Sequence, residues 1–218
     1  MKRGIFITFE GPDGGGKTTH SLMLTKYLTQ RGFSVVHTRE PGGTTIAEQL
    51  RKILLNPRNK MSPQTELLLY AAGRAQHTHE LIWPALRQGK IVICERYSDA
   101  TLAYQGAGRQ KNLTVIKRLN KIATGGLEPD LTLLIDLDVK KGLARVKQAN
   151  RKVDRLEQET LSFHQRVRKG YLKLAKNYPR RIKIIPGEQA KEKNAELIKA
   201  YVDKKLFSVK SVESVDKR

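Results

Sequence analysis

Ten residues, GPDGGGKTTH from Gly11 to His20, stand directly behind the apolar run GIFITFE. Gly11, Gly16, Lys17 and Thr18 fit the spacing G-x-x-x-x-G-K-[ST], between a strand pattern and a helix pattern. Glycines let the backbone curl so that successive N–H groups point at one anion. The helix start adds partial positive charge there. A lysine so placed reaches the β- and γ-phosphates, and a threonine hydroxyl can ligate Mg²⁺. Gly11, Pro12, Asp13, Gly14, Gly15, Gly16, Lys17, Thr18 and Thr19 are therefore the candidate cradle for a nucleoside triphosphate. The guanine-reading tetrad N-K-x-D does not occur in the chain.

The other chemistry-bearing residues suggest an acceptor. Arg39 and Arg96 each follow a strand pattern, and parallel strands deliver their C-terminal ends to one crevice. Arginine can grip a phosphate there with two hydrogen bonds. Tyr70 and Arg74 are four apart on a helix pattern and share a face. Thr101 and Gln105 are also four apart, with Tyr104 between them. His20, His37, His77, His79 and His164 show no metal-ligand spacing. Cys94 cannot pair internally and ends the run IVIC, so it reads as a buried core side chain.

The elements that must position these groups alternate. Apolar runs at 4–9, 33–38, 90–94, 131–137 and 181–185 show little alternation, as expected of strands buried on both faces of a parallel sheet. Helical patterns lie between them. Lys17–Arg31 stops at Gly32, Ser62-Pro63 opens a helix running towards Trp83-Pro84, and Asn112–Thr124 stops at Gly125-Gly126. Residues 139–150, 155–178 and 191–206 read as further helices. The expected fold is a three-layer α/β/α sandwich around a five-stranded parallel sheet. The expected organisation is a single domain over 1–207, with a frayed tail from 208 to 218.

The 218 residues carry 42 Lys and Arg against 21 Asp and Glu, a net charge of +21, with more than half of the cations beyond residue 138. Such a balance can attract nucleic acid, but aromatics are 6% and no zinc-finger spacing occurs. Nucleic acid is therefore not the expected partner, though a basic nucleic-acid-binding ATPase is one alternative. No apolar stretch approaches the length of a membrane span, and MKRGIFITFE lacks the features of a signal peptide, so a cytoplasmic protein is expected.

Five stretches in order carry a resemblance: FEGPDGGGKTT (9–19), TREPGGT (38–44), LLLYAAGRAQH (67–77), ERYSDATLAYQG (95–106) and DRLEQE (154–159). Together they resemble thymidylate kinases of the bacterial type, over roughly residues 4–185. The loop occurs in many enzymes, whereas its combination with TREPGGT and AYQG is specific. The resemblance implies the fold of P-loop nucleoside monophosphate kinases, ATP as donor, dTMP as acceptor, Mg²⁺ as cofactor and a homodimer. It implies that Arg39, Glu40, Pro41 and Arg96 belong to the dTMP site, with the two arginines on its phosphate. Tyr70 would stack on thymine and Arg74 would bond a base carbonyl. Thr101 and Gln105 belong to a base-contacting segment, and Tyr104 would crowd the ribose 2′ position. Asp13 would approach the acceptor sugar and the magnesium, which Thr18 and Glu95 would also serve. A lid at about 144–157 would bring Arg145 against adenine and Lys147, Arg151, Lys152 and Arg155 to phosphates, with Asp154 and Glu157 orienting Arg155. Pro12, Asp13, Gly14 and Gly15 supply no arginine, so the lid, foremost Arg151, would supply the transition-state cation.

Two residues depart from the family pattern. Glu95 stands where the family usually has Asp, and Thr101 stands where it often has Asn or Ser. Glu-Arg after the third strand is also similar to deoxynucleoside kinases, which makes a thymidine kinase the second alternative. The implied chemistry is direct in-line phosphoryl transfer with Lys17, Arg96, Glu95 and Arg151 as the central residues. A monophosphate oxygen is largely ionised near neutral pH, so no general base is assigned.

Overall fold

The apolar runs become the strands of one sheet, and the segments between them become helices laid on its two faces. The computed structural model describes residues 3–149 and 152–215, with side chains as far as Phe207. In chain order the elements are β1 (Phe6–Glu10), α1 (Lys17–Gln30), β2 (Val35–Arg39), α2 (Thr45–Leu55), α3 (Pro63–His77), α4 (Trp83–Arg87) and β3 (Ile91–Glu95). There follow α5 (Ser98–Thr101), α6 (Leu113–Thr124), β4 (Leu131–Asp136), α7 (Val139–Gln148), α8 (Leu161–Asn177), β5 (Ile182–Pro186) and α9 (Lys191–Val215). The sheet order is β2-β3-β1-β4-β5 and every pairing is parallel.

Strand alternation sorts the core into layers. Ile7, Phe9 and Ile93 face Leu24 and Leu28 of α1 and Ile198 and Val202 of α9. Phe6, Val92 and Cys94 face the other way, against Ile82, Leu86 and Tyr97. Leu134 and Ile182 meet Phe163, Val167 and Tyr171 of α8 on that same side. Each such burial contributes about 1.5–3 kcal/mol. With β1 in the middle, the chain builds outwards in both directions, so the carboxyl ends beside it form the switch point where α/β sheets bind ligands.

Several boundaries differ from the sequence reading. It has no helix over 45–55, yet α2 forms there, with Thr44 Oγ1 accepting from Ala47 N and Ala47 and Leu54 turned inwards. The long helix expected from Pro63 to Trp83 is interrupted by a π-helical turn at Thr78–Ile82. A second π-helical stretch, Leu102–Gly108, widens the segment carrying Tyr104 and Gln105. The helix expected at 155–178 starts only at Leu161, capped by the Thr160 side chain. The last helix does not stop near 206: helical backbone continues to Val215, because no glycine or proline interrupts residues 191–215.

Candidate active site

The phosphate loop is shaped by what its glycines allow. Gly11 has φ +132°, and a Cβ there would lie 2.2 Å from the Ile135 carbonyl oxygen of β4. Gly14 has φ +72° and would strike the Gly142 carbonyl of α7 at the same distance. Larger residues would push the loop off the sheet and off the neighbouring helix. Gly16, at φ 92°, is the N-cap of α1, so the first free N–H groups of that helix open into the loop. Lys17 Nζ donates to the carbonyls of Gly11 (3.1 Å) and Pro12 (2.8 Å). Burial, with the Arg96 charge, pushes its pKa down to about 8, against the pull of Asp13, Glu10 and Glu95. Phosphate charge would favour the protonated form.

Beside the loop, Arg96 follows β3 with φ 66°, a left-handed backbone that costs a non-glycine residue about 1–3 kcal/mol. Its surroundings hold it there. One terminal nitrogen donates to Gly11 O (3.0 Å) and Tyr171 Oη (3.1 Å), the other to Asp13 Oδ1 (2.5 Å) and Tyr104 Oη (3.0 Å). Tyr104 Oη in turn donates to Asp13 Oδ2 (2.7 Å). Burial alone would raise the Asp13 pKa, but Arg96, Lys17 and the Tyr104 hydroxyl hold it at about 2. Behind this cluster lies Glu10. It accepts from Tyr97 N and from Tyr171 Oη, both at 2.7 Å, and burial next to Asp99 raises its pKa to about 7.

On the other side of the loop, Thr18 Oγ1 donates to Glu95 Oε2 at 2.6 Å. Burial opposes charge on Glu95, but hydrogen bonds from His37, Thr18 and Ser21 keep its carboxyl below the usual range. A hydroxyl and an ionised carboxylate therefore converge at the loop mouth, as hard oxygen donors suited to a small divalent cation.

The expected base-contacting residues line the same cleft, which encloses about 610 Å³, ample for nucleotide-sized ligands. Arg74 is only 2% exposed. It donates to Glu40 (2.8 Å), Thr101 Oγ1 (2.7 Å), Asn120 Oδ1 (2.9 Å) and the Tyr97 carbonyl (3.0 Å). Glu40 also faces His77 Nδ1 at 3.2 Å. Arg74 is thus the centre of a buried polar knot and still lines the cleft, together with Tyr70, Thr101 and Gln105. Arg39, the last residue of β2, lies at the rim, paired to Glu48 at 3.0 Å. Pro41 turns its carbonyl to Arg51 (2.7 Å), a further arginine of the cleft wall.

The segment expected as a lid is tied down at its far end. Arg155 donates to Glu66 (2.6 Å) and to the Leu54 carbonyl (2.8 Å). Glu66 also receives Gln105 Nε2 (2.8 Å) and Arg109. Glu66 of α3 is therefore the carboxylate that orients Arg155. Asp154 and Glu157 cap one another's turn, Asp154 N donating to Glu157 and Glu157 N to Asp154 Oδ1, each at 2.9 Å. Both line the cleft. Arg145 of α7 reaches back over the loop to the Gly14 carbonyl at 3.4 Å. Lys147 is exposed, and Arg151 lies outside the described residues.

With this geometry the chain can be compared with known proteins. A family model described as thymidylate kinase matches residues 9–198. A thymidylate kinase of Gloeobacter violaceus is 50% identical over 200 residues, covering 91% of this chain and 94% of its own. One from Clostridium novyi is 46% identical over 204 residues, 93% of this chain and 100% of its own. A crystal structure of thymidylate kinase from Ehrlichia chaffeensis superposes with TM-score 0.73 at 35% identity, covering 91% of this chain and 99% of that one.

The chain belongs to the thymidylate kinase family.

It is a phosphotransferase on the P-loop nucleoside monophosphate kinase fold, and this reading holds over the thymidine-kinase and nucleic-acid-dependent ATPase alternatives. Among the described residues no helix is long and apolar enough to cross a membrane. Thymidylate kinase motifs point to most of the cleft wall but not to Arg51, nor to Glu10, Glu66 and Tyr171, which stand behind the wall as partners of its side chains. Glu10 precedes the loop glycine directly, and a carboxylate closing an apolar strand was the one sequence signal for it. Glu66 and Tyr171 sit on helix patterns among other polar residues, and nothing local sets them apart.

Proposed function

We propose that the protein transfers the γ-phosphoryl group of ATP to dTMP, giving dTDP and ADP. The observation that supports this is the junction at Asp13. The triphosphate loop and the Arg96–Tyr104 pair meet there, and the Tyr70–Arg74–Thr101–Gln105 wall continues in the same cleft. An acceptor with base on that wall and phosphate towards Arg96, Arg39 and Arg51 would point an oxygen at the end of a triphosphate held by Lys17. Arg74 would give an N–H to a thymine carbonyl, Tyr70 would cover the base, and Tyr104 would stand against the sugar. Glu40 would serve by orienting Arg74.

Transfer makes a bond from that oxygen to the γ-phosphorus and breaks the bond to the β,γ-bridging oxygen, which leaves with ADP. No residue needs to take a proton, because the acceptor phosphate is already largely ionised. Positioning and fixed positive charge carry the rate. Thr18 and Glu95 would hold Mg²⁺, which neutralises phosphate charge when bound. Among the described residues no cluster of three or more His, Cys, Asp or Glu offers a full metal cage, so phosphate oxygens and water would complete the shell. Both Asp13 oxygens are bonded to Arg96 and Tyr104, which favours its role towards the acceptor sugar.

In this reading residues 1–207 are one kinase domain and 144–157 its lid, with Arg145 on adenine and Arg151 meeting the transferring group. The protein would act in the cytoplasm as a homodimer. The deciding experiment offers dTMP, thymidine, dUMP and dCMP in turn and follows ADP release. The expected order puts dTMP first and thymidine at background; turnover of thymidine above dTMP would overturn the proposal.

A further inference from the structure

The carboxylate at the loop mouth has a support of its own, built from three elements. Glu95 ends β3 opposite Arg39 of β2, and His37 lies two residues earlier on β2. Strand alternation puts His37 and Glu95 on the same face, the one that α1 covers. Thr18 and Ser21 are three apart on the first turn of α1, so both side chains point at that face. The contacts follow. Thr18 Oγ1 takes Glu95 Oε2 at 2.6 Å, and Ser21 Oγ takes Oε1 at 2.9 Å. His37 Nε2 lies 2.9 Å from Ser21 Oγ and 3.4 Å from Glu95 Oε1. With the proton on Nε2, the imidazole donates to the serine and the serine donates to the carboxylate.

This arrangement matches the departure at position 95. Glutamate has one more rotatable bond than aspartate, and its terminal torsion is broad. Left to itself, the longer side chain would sample several carboxylate positions. Ser21 and His37 restrain Oε1, which leaves Oε2 aimed at Thr18 and the loop mouth.

We infer that His37 and Ser21 are positioning residues that hold the Glu95 carboxylate in place for the divalent cation. The inference rests on the kinase reading only in taking that site to be where the metal–nucleotide complex sits.

The test measures Mn²⁺ binding by electron paramagnetic resonance in the presence of a non-hydrolysable ATP analogue. His37→Val suits an edge strand and removes the donor; Ser21→Ala breaks the link. Each should weaken Mn²⁺ binding about tenfold, the scale expected when a group that orients a metal ligand is lost. Affinity for dTMP and for the metal-free analogue should stay within about twofold. His37→Gln, which keeps a side-chain donor, should recover most of the loss. Glu95→Asp should cost less in the His37→Val background than alone, because the restraint is already gone. Unchanged Mn²⁺ affinity in either folded variant, or strict additivity with Glu95→Asp, would overturn the inference. If His37→Val fails to fold, Ser21→Ala carries the test. If the wild type binds the Mn²⁺–nucleotide complex but does not phosphorylate dTMP, the proposed activity falls while the binding comparison still stands.

Discussion

Arg74→Ala tests the base wall and the buried knot together. Arg74 and Glu40 are paired at 2.8 Å, with side chains 1% and 4% exposed. Breaking such a pair from one side leaves a buried carboxylate and costs about 3–5 kcal/mol. For a chain of this size each kcal/mol shifts Tm by about 2–4 °C, so a drop of about 6–20 °C is expected. Thr101, Asn120 and the Tyr97 carbonyl also lose their donor, so the larger end is favoured. Loss of a charged hydrogen bond to thymine should weaken dTMP binding about tenfold or more, with ATP binding little changed. A destabilised pocket could mimic that second effect, so a paired variant separates them. Arg74→Met with Glu40→Gln removes both charges, and a buried ion pair replaced by apolar and neutral groups loses little stability. Scanning calorimetry and calorimetric dTMP titration on both variants give the answer. The double variant should regain the part of the Tm lost to the unpaired carboxylate, but not the part lost at Thr101, Asn120 and the Tyr97 carbonyl, while dTMP stays weak. If Arg74→Ala melts within about 2 °C of wild type, the buried-pair argument is wrong. If the double variant binds dTMP normally, Arg74 does not read the base.

Arg151→Ala should lower kcat at least about tenfold with little change in either KM, since the cation acts mainly in the transition state. Arg155→Ala should instead lower Tm by taking one cation from Glu66, which Arg109 and Gln105 still hold; normal kcat in Arg151→Ala beside a well-folded but inactive Arg155→Ala would transfer the role. Tyr104→Ala should narrow the preference for deoxy- over ribonucleotide acceptors, and an unchanged ratio in steady-state kinetics would assign that selectivity elsewhere. Glu10 has a raised pKa of about 7 in the fold, so its contribution to stability is full below the ordinary carboxyl range and is lost as pH rises towards 7. Glu10→Gln cannot titrate and should therefore gain in Tm relative to wild type as pH rises from about 4.5 to 7, with no further change above. A difference that stays flat across that window would contradict the burial argument.

Local chemistry was enough for much of this protein. The phosphate loop is legible because a tight anion-binding turn needs glycine at fixed places and a lysine and hydroxyl at the next helix start, all within Gly11–Thr18. The five strands are legible because a sheet covered on both faces demands unbroken apolar runs. Arg39 and Arg96 could be assigned to one crevice because parallel strands end on one side. Helix α2 is legible too, although the sequence reading passes over it: Ile46, Ala47, Leu50, Ile53 and Leu54 recur at helical spacing behind Thr44, a good N-cap. The limits are physical as well. The π-helical turns leave no composition signal, since they differ from α-helix only in hydrogen-bond register. The partners of the key cations come from distant chain. Glu66 meets Arg155, Tyr171 meets Arg96, and Asn120 meets Arg74 only after the helices are laid on the sheet. The fold, not the motif, also decides which charges are buried, and so which carboxyls are held ionised, as at Asp13, or pushed towards the neutral form, as at Glu10. Residue types within a loop carry their own geometry; desolvation and long-range pairing exist only once the chain has closed around them.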